Sequence, residues 1–245
     1  MTPASVKPKP QGFVLVCFAL KEEAAPFRKI IAGKSGVSIL VVGIGRQNAE
    51  RSLLEFLADI GGACVPASRS KSAPSNQIGT LGTPATPSLV LTCGFAGGLN
   101  PELKLGDTLF ETEDKKLSSR ILTSGAKPAR FFCADRIAST VGEKKALREQ
   151  TGADVVEMES AAIHDVCREQ GIPCATVRVI SDTASEDLPL DFNALAKSDK
   201  NLDFGKLFLA IARSPGKIGA LIQLQKKTNF AAQQLSAVLE RVIFP

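Results

Sequence analysis

The run Asp154-Val-Val-Glu-Met-Glu-Ser-Ala-Ala-Ile-His164 puts two carboxylates, Glu157 and Glu159, around Met158 where a strand gives way to a helix. Val155 and Val156 read as the end of a buried strand. Met158, Ala162 and Val166 recur at helical spacing until Gly171 and Pro173 stop the run. The two glutamates therefore belong to the turn between strand and helix, and open α/β sheets bind small molecules outside the carboxyl ends of their strands. Acids in a first helical turn can also do no more than complement the helix dipole. Three further strand ends weigh against that bland reading. Cys174–Ile180, a strand run with one charge, delivers Ser181 and Asp182, and Phe13–Leu20 delivers Lys21, Glu22 and Glu23. Leu89–Cys93 opens into the glycine-rich turn Gly94-Phe-Ala-Gly-Gly98. Gathered on one sheet edge, these ends would make a site whose acid and base are carboxylates and whose glycines let backbone amides approach a ligand.

The elements that must hold such a site fit one α/β domain. At 245 residues and 44% hydrophobic content the chain can bury a full core. Residues 1–11 are Pro- and Lys-rich and read as a flexible tail without an apolar signal segment, which points to the cytoplasm. Residues 66–88, rich in Ser, Pro, Thr and Gly, read as a disordered surface insertion after a helix over Asn48–Ile60. The main domain spans 12–200. From 201 to 245 a basic helical extension follows: residues 200–245 hold seven Lys or Arg against two acids, the whole net charge of +5. Leu207–Ala212 and Ile218–Leu224, separated by Ser214-Pro-Gly216, read as two short helices, apolar on one side. Such helices pack on their own domain or lie on anionic membranes, so peripheral membrane contact stays open. Neither apolar run is long enough to span a bilayer.

Other chemistries fit less well. The six cysteines lack Cys-x-x-Cys spacing and read as reduced, mostly buried thiols. The only histidine, His164, lies five residues after Glu159 and so on another helix face. No metal-ligand spacing exists, so no metal and no cofactor are expected. Gly43-Ile-Gly45 lacks the third glycine and following acid of a dinucleotide fingerprint. Without Trp or Tyr the basic tail offers poor stacking platforms, so nucleic acid is not an expected partner.

Taken in order, Ala19-Leu-Lys-Glu-Glu23, Gly43-Ile-Gly45, Gly94-Phe-Ala-Gly-Gly-Leu99 with Gly106-Asp107, Val156-Glu-Met-Glu-Ser-Ala-Ala162 and Arg178-Val-Ile-Ser-Asp182 resemble the purine nucleoside phosphorylase and nucleosidase superfamily. The nearest likeness is to its methylthioadenosine and S-adenosylhomocysteine nucleosidase branch, and within that to hopanoid-associated nucleosidase-like proteins. The resemblance implies a single-domain three-layer αβα fold with a central mixed sheet. It also implies cleavage of the N-glycosidic bond of a 5′-substituted adenine nucleoside, a bond whose rupture puts positive charge on the ribose and negative charge on the base. By that likeness Asp182 would protonate the purine at N7, with Ser181 beside it. Glu23 would activate the attacking water, and Glu157 would stand near the same water. Glu159 would accept hydrogen bonds from the ribose hydroxyls with Met158 under the sugar, while Ala96, Gly97, Ile137 and Ala138 would hold the base. The likeness also implies a homo-oligomer, most simply a dimer.

Two departures bear on that expectation. Hydrolytic relatives carry a serine where Phe95 stands, and only about twenty residues between Phe110 and Phe131 replace a longer excursion that lines the 5′ pocket. The second predicts an opener pocket, or one covered by the tail. Arg46 and Arg28 do not match the phosphate-binding arginines of phosphorolytic relatives, so water is favoured over phosphate as the acceptor. Phosphorolysis and a binder that does not cleave remain as alternatives.

Overall fold

Alternation within the first strand sets the layering of the molecule. In β1 (Val14–Phe18) Val16 and Phe18 face one side and Leu15 and Cys17 the other, all buried, as in a strand covered on both faces. The computed structural model describes residues 12–61, 86–190, 192–195, 216 and 218–245. In it β1 pairs in parallel with β2 (Val37–Val41) and β3 (Leu89–Gly98). β4 (Thr108–Glu111) and the two-residue β5 (Lys127–Pro128) run parallel to each other, and β6 (Phe131–Cys133) runs parallel to β7 (Val155–Glu157). β8 (Cys174–Asp182) pairs in parallel with β3 and antiparallel with β4. The order is β2-β1-β3-β8-β4-β5, with β7 joining the tip of β3 antiparallel and carrying β6.

Helices cover both faces of this mixed sheet. α1 (Lys21–Ile30) and α3 (Lys115–Thr123) pack on the Phe18 side through Phe27, Leu117 and Ile121. α2 (Arg46–Gly61) and α5 (Ser160–Glu169) cover the Leu15 side through Leu53, Ile163 and Val166. α4 (Val141–Thr151), α6 (Phe192–Leu195) and α7 (Ile218–Ile243) complete the described elements. The three-layer αβα arrangement with a central mixed sheet is thus the one adopted.

Two local readings change. Gly94–Gly98, expected as a turn, continues β3: the ladder to β8 runs through Ala96, shifts register at Gly97, and passes to β7 at Gly97 and Gly98. The glycines serve close approach rather than reversal. Ile218–Leu224, expected as a short helix, opens the 26-residue α7. Its apolar period carries on through Ala231, Leu235, Val238, Leu239 and Val242, which are buried on the Phe18 face, and burial of that stripe outweighs the lysines at 226 and 227 as a stop signal. The tail 1–11, nearly all of the 66–88 insertion and Leu207–Ala212 lie outside the described residues. No helix among the described residues is long and apolar enough to cross a membrane.

Candidate active site

The carboxyl ends of β1, β3, β7 and β8 open into a cavity of about 200 Å³, and all eleven residues singled out in the sequence line it. Glu23 comes from the first turn of α1, Phe95, Ala96 and Gly97 from the far half of β3, and Glu157, Met158 and Glu159 from the β7–α5 junction. Ser181 and Asp182 end β8. Ile137 and Ala138 lie on the loop before α4, where Asn193 of α6 clamps Ile137 by accepting from its N–H and donating to its carbonyl, both at 2.9 Å.

At the floor three carboxylates surround one guanidinium. Arg178, 1% exposed, donates Nη2 to Glu157 Oε2 at 2.6 Å and lies 3.2 Å from Glu159 Oε2. It also reaches Thr92 Oγ1 at 3.3 Å and the Cys93 carbonyl at 3.4 Å. Three anions, those of Glu157, Glu159 and Glu23, hold Arg178 protonated against the cost of burial. The acids fare differently. Glu157 accepts from the N–H groups of Glu159 and Ser160 and from Ser160 Oγ. Burial opposes its charge, but Arg178 and these donors outweigh it and hold the carboxyl below its usual range. Through these contacts Glu157 ties both Arg178 and the start of α5. Glu159 is pushed up by burial, with Glu157 adding to the shift and Arg178 opposing it, and its Oε1 accepts from Gly45 N–H at 2.8 Å. Glu23 is raised to about 7, chiefly by burial, with its oxygens accepting from Phe95 and Leu20 N–H at 3.0 Å each.

This packing explains the glycine at 94. A Cβ there would stand 2.6 Å from Arg178 Nη1 and 2.9 Å from both Glu23 oxygens, on a backbone with φ of 149°. Gly94→Ala is expected to displace Glu23 and Arg178, lowering both the melting temperature and kcat, the latter by tenfold or more, since small misplacements at a reacting centre are costly. Unchanged kcat in that variant would mean the site tolerates the shift.

The other end of the cavity belongs to Asp182. Ser181 Oγ donates to its Oδ1 at 2.8 Å, and Lys144 Nζ lies 2.6 Å from its Oδ2. A Cβ on Gly97 would come within 3.3 Å of that same Oδ2. Gly94 thus faces Glu23, and Gly97 faces Asp182.

Arg178 and Lys144 are the functional candidates that the sequence reading left unassigned. Arg178 had a signal, the lone charge in an apolar strand two positions before Ile180 and four before Asp182. Lys144 had none, standing beside the exposed Lys145 in a weakly patterned stretch. Of the remaining residues, Phe95 lines the cavity and packs on the Phe18-side core. His164 is turned to Thr176, 2.9 Å away, outside the cavity. Burial pushes the Cys133 thiol up to about 12, and Cys17, Cys93, Cys133, Cys167 and Cys174 are all free. Arg28 and Arg46 are exposed and do not line the cavity, and Arg136 at its rim is paired with Glu143.

Comparison with known proteins agrees with this architecture. A family model, the Phosphorylase superfamily, matches residues 114–213. A 5′-methylthioadenosine/S-adenosylhomocysteine nucleosidase from a Shewanella species is 28% identical across 58% of this chain and 78% of its own. Among solved structures, the corresponding nucleosidase of Helicobacter pylori aligns with a TM-score of 0.63 at 15% identity, over 96% of this chain and 99% of that one. The futalosine hydrolase of Helicobacter pylori gives 0.61 at 16%, over 94% and 98%. An αβα sheet with its cavity at the strand ends is the fold of these solved structures, and over residues 114–213 the chain is similar to the Phosphorylase superfamily. Beyond that stretch, its similarity is to the methylthioadenosine/S-adenosylhomocysteine nucleosidases.

Proposed function

We propose that the protein is a nucleosidase that hydrolyses the N-glycosidic bond of an adenine nucleoside carrying an apolar 5′ substituent. The observation that carries this reading is the pair of carboxylates at opposite ends of one cavity, Asp182 held by Lys144 and Ser181, and Glu23 raised to about 7. An acid for the departing purine and a base for water are what the reaction needs, and Glu159 on the same cavity wall is the acceptor for the ribose hydroxyls. Water is favoured over phosphate because Arg178, the cation at the floor, is already committed to Glu157 and Glu159, and a phosphate would meet three acids there. Ile44, Leu188 and Leu224 give the cavity an apolar side, which supports an apolar 5′ group; a hopanoid-type nucleoside is the extreme member of that class. Leu224 comes from α7, so the C-terminal extension supplies part of the wall that the short 110–131 segment does not. Dimerisation belongs to the same reading, supported by Ile218 and Ile222, exposed one helical turn apart on α7.

The test is chromatography of free adenine from a panel of 5′-substituted adenosines, with and without phosphate. Adenine and free sugar in both buffers is the expected result; sugar 1-phosphate formed only with phosphate would make the enzyme a phosphorylase, and binding without base release would make it a binder. The pH profile provides a second prediction. Glu23 acts as base only when deprotonated, so kcat/KM is expected to rise about tenfold per unit up to pH about 7 and then level off. Stability runs the other way. Between 4.5 and about 7 the folded state keeps a proton on Glu23 that the unfolded chain has lost, so this group's contribution to stability falls as pH rises. A rate flat from pH 5 to 8 would remove Glu23 as the base.

A further inference from the structure

Lys144 is the fourth residue of α4, a helix started by the Thr140–Glu143 capping box and ended by Gly152 in the left-handed conformation. Its neighbours Lys145 and Glu149 are exposed, yet Lys144 itself is fully buried. Its Nζ has three acceptors and no others are needed: Asp182 Oδ2 at 2.6 Å, the Thr183 carbonyl at 2.7 Å and the Glu186 carbonyl at 2.8 Å. The ammonium also sits in the first turn of its helix, at the end where the peptide dipoles disfavour a cation. Asp182 is the anion that compensates it. A buried ammonium is costly to keep, and fastening one turn of loop could be done by a neutral donor.

There is also a chemical demand at this point. In an ion pair the proton is on nitrogen, so Asp182 as it stands facing Lys144 is a carboxylate, and a carboxylate alone has nothing to give the purine. Asp182 lines the cavity and Lys144 does not.

We propose that Lys144 supplies the proton that Asp182 passes to the departing purine, so that the pair acts as the acid. This rests on the nucleosidase reading above. As the C1′–N9 bond breaks, its electron pair goes to the base. N7 takes a proton by way of the Asp182 carboxyl, which takes one in turn from Lys144 Nζ and leaves a neutral amine. The attacking water forms the new C1′–O bond and gives its proton to Glu23. When adenine leaves, water re-enters at Asp182, returns a proton through it to Lys144, and receives the one held by Glu23, which closes the balance. Lys144 is a positioning residue by place, since it acts through Asp182, and a proton source by chemistry.

The test compares two leaving groups. Adenine needs a proton to depart, whereas 4-nitrophenolate leaves without one. Wild type, Lys144→Met and Lys144→Gln are assayed for kcat and KM on the most active adenosine of the panel and on 4-nitrophenyl β-D-riboside. The expected result is a kcat loss of 100-fold or more on the adenosine, with KM within a few fold and the 4-nitrophenyl rate within about fivefold. That rate also reports a folded site. Parallel losses on both substrates, as a loop anchor would give, overturn the proposal, and so does unimpaired adenine release. Absence of base release by the wild type from every adenosine would overturn the nucleosidase reading itself, and the assignment of Lys144 with it.

Discussion

Asp182→Asn is expected to abolish adenine release while nucleoside binding survives. Asparagine fills the same space and can still accept from Ser181 Oγ or from Lys144, the two contacts that fix the side chain at 2.8 and 2.6 Å. It cannot relay a proton. Loss of a positioned general acid costs 100- to 10,000-fold in rate, about 3–5 kcal/mol of barrier. The amide also takes the anion away from the buried Lys144 ammonium, so a lower melting temperature should accompany the rate loss. The measurement is adenine release under single-turnover conditions, with affinity for the nucleoside from calorimetry on the inactive protein. A rate equal to wild type would remove Asp182 from the acid's role; a lost rate together with lost affinity would assign it to binding.

Arg178→Met should be the most damaging single change to the fold of the site. Methionine replaces the stem but removes the charge that faces Glu157, Glu159 and Glu23, all of them buried. Stripping one partner from a buried ion pair costs about 3–5 kcal/mol, because the remaining charges stay in a poor solvent. For a chain of this size that is a drop of about 6–20 °C in melting temperature. Its pH dependence identifies the cause. Without the guanidinium, Glu157 loses the interaction that holds its proton affinity down, and all three acids gain stability by protonation. The folded variant then binds more protons than the unfolded chain, so its stability falls as pH rises. Differential scanning calorimetry of variant and wild type at pH 5 and pH 8 should show the smaller deficit at pH 5. Equal deficits would assign the loss to packing rather than charge.

The same residues mark the limit of what the sequence alone conveys. β1, β3 and β8 were legible because each is an apolar run with turn residues or acids at its end, and the acids at those ends turned out to share one cavity. That follows from a general property of parallel sheets, whose strand ends collect on one edge. Glu23 and Asp182 could therefore be placed at one site without knowing any distance between them, whereas Glu159 reaches it from β7, which runs antiparallel to the tip of β3. Continuation of β3 through Gly94–Gly98 was not legible, because glycine signals a turn locally and a close approach only when something approaches. Here that is Arg178 and Glu23 on one side and Asp182 on the other.

α7 shows the same limit in a helix. The lysines at 226 and 227 look like an end, and only burial of its second half against α1 and β8 makes the helix run to Ile243.

The sequence by itself determined the layered α/β fold and which acids line the cavity at its edge, since both are carried by patterns a few residues long. Tertiary structure alone decided which charges balance one another. Arg178 meets a glutamate 21 positions before it, and Lys144 meets an aspartate 38 positions after it. Pairings over such separations depend on how the elements close around the cavity, and burial then turns an ordinary surface charge into one that must be matched.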